Sequence, residues 1–356
     1  MCVYSAFVNF DKEVFLMQFL YLFIAIPVLV IAFLLLLAFA VEKVAFGNRC
    51  EGNAYLQYFT AADFPNLTAD PVAFTGNCGQ VLRGNLYTQA GRQDFKALLV
   101  FSHGMGGGHL SYTTELDFFA KRGYLVLAYD NTGTMASEGK SLVGMPQAVS
   151  DLRSALAFAK QDVRTKDLPV VLAGHSWGGY TVCRVLYFHP QVKGAVAFSA
   201  PDDVPRLLCA QAKAMTGKNL GFLEPFLRLY ERLRFGKATA MRTSEIAAQT
   251  DVPLLLLHGG RDTTVRPEDA AATQNVLKNR KNIQTVLYPE KQHNVYATVE
   301  AEQYIADAFS KLGVLTKDKA KAAEAKAFAA TLDFRKMCEE DTEVMETVVA
   351  FLDGCL

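Results

Sequence analysis

Val170-Val171-Leu172-Ala173-Gly174-His175-Ser176-Trp177-Gly178-Gly179 is the stretch that decides how this chain is read. Its first four residues form a short apolar run suited to a strand covered on both faces. The run turns at Gly174-x-Ser176-x-Gly178 and gives way to a helix-period segment over 177–188. A serine on a sharp strand-to-helix turn presents its hydroxyl beyond the strand end, and the flanking glycines let neighbouring backbone pass close by. The five-residue spacing recurs by chance, and an ordinary glycine-rich turn would also satisfy it. The strand before it and the helix after it supply the context a serine nucleophile requires.

Working outward, apolar runs at 81–87, 97–102, 124–129, 169–173, 194–198, 252–257 and 283–288 alternate with helical segments at 112–121, 145–160, 177–188 and 268–277. That alternation predicts a mostly parallel α/β sheet flanked by helices. Met145, Val149, Leu152, Leu156 and Ala159 recur at steps of three or four and give one helix a buried stripe. Residues 201–250 lie between two strands and read as two or three helices, with Phe222, Leu223, Phe226, Leu227 and Tyr230 clustered on one. The insertion is too long for a plain loop and suits a small helical cap. Residues 313–356 form a helical extension, with Val344, Val348 and Phe351 at helical spacing for docking.

The serine needs partners. The strand at 97–102 ends in His103-Gly104-Met105-Gly106-Gly107-Gly108, which lacks the Lys-Ser/Thr ending of a phosphate-binding loop. The better reading is an oxyanion loop in which the backbone N–H of Met105 acts with that of Trp177. Downstream, Asp262 follows the strand at 252–257 and His293 follows the strand at 283–288, which is the order nucleophile, acid, base. Glu290 and Asp269 are the fallback acids. His103 and His258 sit in strand-end His-Gly pairs and read as loop-shaping. His175 adjoins the nucleophile and should point away from it, and His109 and His189 match no expected position.

The set His103-Gly104, Gly174-x-Ser176-x-Gly178, Asp262 and His293 resembles the α/β-hydrolase superfamily over residues 80–312. Asp130-Asn131-Thr132-Gly133-Thr134-Met135-Ala136-Ser137-Glu138-Gly139 is similar to a loop of its esterase, monoacylglycerol-lipase and serine-aminopeptidase-like branches, with Thr134 and Met135 departing from the usual spacing. The resemblance implies an α/β-hydrolase fold and a Ser176, Asp262, His293 triad that needs no metal or organic cofactor. Asp130 reads as a loop-holding residue.

Residues 14–41 carry no charge, and about 28 residues in a helix would span roughly 42 Å, more than a ~30 Å hydrocarbon core requires. Ala38-Phe39-Ala40 has the small-x-small form of a signal cleavage site. The apolar stretch is nonetheless far longer than a signal h-region, and its leader at 1–13 is not basic. An uncleaved single-pass anchor is therefore expected, followed by a linker over 42–79. Lys12 against Lys43 and Arg49 leaves the side of the membrane open.

Thirty-six basic residues balance 36 acidic ones, and no basic stripe points to nucleic acid. Seven scattered cysteines without a CxxC pair argue against zinc or a dense disulfide framework. A Cys50–Cys78 bridge stays open for an extracellular domain, free thiols being the simpler reading. The expected activity is hydrolysis of a small-molecule acyl ester, as by a carboxylesterase or small lipase. A peptidase or amidase on the same triad is the alternative, kept open by Asp202, Asp203 and Glu224 in the cap, and a non-catalytic binding protein is the third.

Overall fold

The computed structural model describes residues 2–356. Eight strands, β1 (Leu67–Thr75), β2 (Val81–Gln89), β3 (Ala97–Ser102), β4 (Tyr124–Tyr129), β5 (Val170–His175), β6 (Gly194–Phe198), β7 (Leu254–Gly259) and β8 (Ile283–Tyr288), form one sheet in the order β1-β2-β4-β3-β5-β6-β7-β8. The β1–β2 and β2–β4 pairs are antiparallel, and every pair from β4 to β8 is parallel. Successive residues of the central strands feed opposite faces. Leu98, Val100, Leu172, Leu254 and Leu256 join one core. Leu99, Phe101, Val171, Leu255 and Leu257 join the other. Burial on both faces is why these strands are continuous apolar runs.

The helices are α1 (Cys2–Phe46), α2 (Thr113–Lys121), α3 (Gln147–Ala159), α4 (Trp177–Val185), α5 (Val204–Thr216), α6 (Glu224–Phe235), α7 (Thr243–Ala247), α8 (Val299–Thr316), α9 (Ala322–Ala329), α10 (Phe334–Met337) and α11 (Thr342–Asp353). Helices α5 to α7 lie between β6 and β7 and supply the helical insertion. Asp203 caps α5 by accepting from Arg206 N–H, and Gly217 ends it at φ 73°. Helix α11 seats Val344, Val348 and Leu352 in the second core, and Asp353 accepts a hydrogen bond from Tyr124 at 2.5 Å. The end of the chain thus packs on a sheet face.

Two elements depart from the expectations. Residues 268–277 do not form a helix but three 3-10 turns, Pro267–Asp269, Ala271–Thr273 and Asn275–Leu277. Ala270 is drawn into an antiparallel bridge with Pro201, and Ala271 N–H donates to Ala200 O at 2.9 Å, so tertiary pairing takes this backbone out of the helix ladder. Strand β1 has no counterpart in the sequence reading, because Asp70-Pro71 breaks its pattern. It sits at the sheet edge, where a proline's missing N–H costs no ladder bond.

Helix α1 contains a stretch, Leu20–Phe46, long and apolar enough to cross a membrane, with an 18-residue window of mean hydropathy 3.2. Tyr21, Phe23, Leu29 and Phe33 are exposed, whereas Leu34, Leu37, Val41 and Ala45 pack against the first core and Ala38 and Phe46 are buried in it. One face of the last part of the 14–41 segment is therefore covered by protein, while Leu36 and Phe39 stay exposed. Cys50 and Cys78 are both free thiols.

Because α11 completes the second core, Leu352→Ala should lower unfolding free energy by about 2–4 kcal/mol, read from the urea midpoint in detergent. An unchanged midpoint would mean that α11 is peripheral.

Candidate active site

Strand β5 ends at His175, and α4 begins at Trp177. Ser176 between them has φ 55° and ψ −111°, a left-handed conformation that costs a non-glycine residue on the order of 1–3 kcal/mol. Two hydrogen bonds hold it there: Ser176 N–H donates to Phe198 O at 2.8 Å, and Tyr180 N–H donates to Ser176 O at 2.9 Å. The turn crosses the end of β3 so closely that a Cβ on Gly178 would lie 1.8 Å from Ser102 O. Trp177, as the first residue of α4, has an N–H with no acceptor inside the helix.

His293 Nδ1–H donates to Asp262 Oδ2 at 2.7 Å. Asp262 is buried, and its Oδ1 accepts from Thr264 N–H at 2.8 Å and Val265 N–H at 2.9 Å. Burial opposes its charge. The hydrogen bond and charge of His293, the Val265 N–H and nearby His258 outweigh that and hold the carboxyl below the ordinary aspartate value. The fallback acids are engaged elsewhere. Glu290 pairs with Arg261 at the surface, and Asp269 pairs with Arg206 and Arg266.

His175 ties this pair to the turn that carries Ser176. Its Nε2–H donates to the carbonyl of His293 at 3.0 Å, and the two rings lie 4.8 Å apart. Its Nδ1 accepts from Tyr112 Oη at 2.8 Å, and Tyr112 Oη accepts from Gly104 N–H at 2.9 Å. Ser199, itself at φ 51°, donates from Oγ to the same His293 carbonyl at 2.6 Å. One hydrogen-bonded chain therefore joins the glycine loop, the Ser176 turn and the His293 loop. Burial and the neighbouring His293 push His175 down to about 3, so it stays neutral.

Asp130, expected to hold its loop, does so in a second His–Asp pair whose histidine matched no expected position. Asp130 Oδ1 accepts from both His109 N–H (2.9 Å) and His109 Nδ1–H (2.7 Å), while Oδ2 accepts from Ala136 N–H at 3.0 Å. Asp130 clamps the glycine loop to residues 130–139. His103 does similar work, donating from Nδ1 to Gly104 O and accepting Asn131 N–H at Nε2. Its burial lowers its pKa, which keeps that nitrogen free to accept. Met105, at the loop's tip, is exposed. Among the described residues, no group of three or more His, Cys, Asp or Glu side chains is arranged to hold a metal.

Known proteins share this architecture. A family profile described as serine aminopeptidase, S33, matches residues 93–238. The esterase Pf2001 of Pyrococcus furiosus superposes with a TM-score of 0.54 at 19% identity, covering 75% of this chain and 96% of its own. Est1E of Butyrivibrio proteoclasticus, solved with ferulic acid, superposes with a TM-score of 0.51 at 18% identity, covering 67% and 97%. No curated protein matches by sequence. At these identities the structural likeness speaks for the fold. The fold is that of the α/β hydrolases.

The Asp262 carboxylate gives a pH signature. A carboxyl held below its unfolded value near 3.9 contributes stability above that value, and the contribution is lost as pH falls through the depressed one. Asp262→Asn should therefore flatten the acid limb of stability below about pH 4, measured as urea midpoint against pH. An acid limb identical to that of the wild type would exclude the linkage.

Proposed function

We propose that this protein is a membrane-anchored serine hydrolase that cleaves uncharged acyl esters. The observation that carries the reading is the hydrogen-bonded Asp262–His293 pair, tied through His175 to the strained turn bearing Ser176. In this reading Ser176 Oγ attacks the acyl carbonyl as His293 Nε2 takes its proton. Asp262 fixes the tautomer of His293 and stabilises the imidazolium. The N–H groups of Met105 and Trp177 receive the developing oxyanion. His293 then returns the proton to the leaving alcohol, and water, deprotonated by His293, releases the acid from the acyl-enzyme.

The preference for uncharged esters draws on the membrane setting of the chain; a cavity of about 150 Å³ beside Asn294, the neighbour of His293, mixes Leu110, Phe59, Phe309 and Met337 with Thr114 and Glu115. The amidase reading draws on the serine-aminopeptidase profile. Two of the three cap acids do not help it. Asp202 accepts Ser244 N–H, and Asp203 caps α5 and pairs with Arg228, so both serve the cap's own structure. The exposed apolar face of α1 supports a membrane tether over residues 14–41.

A panel of p-nitrophenyl esters of increasing chain length, set against aminoacyl-anilides, tests the reading. The account expects ester turnover that Ser176→Ala lowers by roughly 10³-fold or more. Turnover of the anilides alone would favour the amidase, and turnover unaffected by Ser176→Ala would exclude this site.

A further inference from the structure

We propose that the outer face of α6 rests on a lipid bilayer carrying anionic headgroups, forming a second membrane contact beside α1. The inference rests on the membrane-anchor reading of α1.

The level of α6 follows from where α1 becomes covered. About 20 helical residues cross a ~30 Å hydrocarbon core. Counted from Val14, the first residue past the charged leader, they end near Phe33. Domain packing begins at the next residue, Leu34. Helix α6 meets α1 just beyond, where the Phe39 and Tyr230 rings make an edge contact with centroids 6.1 Å apart. Phe39 lies six residues past Phe33, roughly 9 Å along the helix, which is headgroup depth.

The outer face of α6 has the chemistry of that depth. Its inner side buries Leu223, Leu227 and Glu231, while Phe222, Pro225, Leu229 and Leu233 form an exposed stripe at steps of three and four. Phe222 is 56% and Leu233 72% exposed, and Met215 at the end of neighbouring α5 is 81% exposed. Basic residues accompany the stripe in sequence. Besides Arg206 and Arg228, which pair with Asp269 and Asp203, residues 206–237 hold Lys213, Lys218, Arg232, Arg234 and Lys237 against Glu224 and the buried Glu231, in a chain whose total charge is zero. Exposed apolar side chains accompanied by lysine and arginine fit an acidic lipid surface, where the apolar groups enter the acyl boundary and the cations meet the phosphates.

The chain's single tryptophan, Trp177, is buried, so an added one reports its own surroundings. Leu233→Trp, Tyr21→Trp and Val163→Trp would each be made in the full chain. Val163, in the loop entering β5, is the control at the opposite end of the strands. Each variant is placed in nanodiscs of brominated phosphatidylcholine, with and without phosphatidylserine. The proposal expects the Tyr21→Trp emission to be quenched in both. Leu233→Trp should be blue-shifted and quenched more than Val163→Trp, and more strongly with phosphatidylserine. Arg232→Glu with Lys237→Glu should abolish that extra quenching. Quenching of Tyr21→Trp with Leu233→Trp no different from Val163→Trp overturns the second contact while the anchor stands. An unquenched Tyr21→Trp overturns the anchor and this inference with it.

Discussion

One backbone crossing governs the site. The β5–α4 turn passes over the end of β3 at a distance that only glycine tolerates, with Gly178 against Ser102 O and Gly174 against Gly178 O. That contact sets how α4 leaves the sheet, holds Ser176 in its strained conformation and keeps the glycine loop after Ser102 beside it. The strain is sustained because the neighbouring strands over-determine the turn. Phe198 O on β6 accepts from Ser176 N–H, and the Phe198 side chain is fully packed in the second core.

The polar groups around the crossing are arranged so that few have freedom to move. Each of the three loops at the C-terminal ends of β3, β5 and β8 is bonded to another through a neutral, buried side chain or a backbone carbonyl. Tyr112 and His175 make the longest link, and Ser199 fastens the same His293 carbonyl from a fourth strand end. A buried network stabilises only when its members are satisfied, and in the relay from Gly104 through Tyr112 and His175 to His293 each donor meets an acceptor. The lower edge of the cap adds a different constraint. Arg184 on α4 donates to the carbonyls of Met241 and Ala238, so the insertion is tied to the helix that follows Ser176.

Much of the framework was legible because burial on both faces leaves a plain trace. The strands at 97–102, 124–129, 194–198 and 283–288 coincide with their apolar runs. Ser176, Asp262 and His293 could be named because each follows such a run at a strand's C-terminal end, where loops of parallel sheets gather. What escaped depends on partners distant in sequence. The His109–Asp130 clamp joins two loops with no spacing signature. His175, expected only to point away from Ser176, links Tyr112 to His293 because the β8 loop folds over it. The 268–277 segment lost its helix to pairing with the backbone at Ala200 and Pro201. The covered end of α1 was invisible because side chains that face protein and side chains that would face lipid are equally apolar.

The central claim is that Ser176 is a nucleophile activated by its surroundings. Labelling the full chain with a fluorophosphonate, digesting with trypsin and mapping the adduct by mass spectrometry tests it most directly. The account predicts a single adduct on the peptide 167–184, at Ser176. A folded protein that takes up no label, or carries it on another serine, would contradict it.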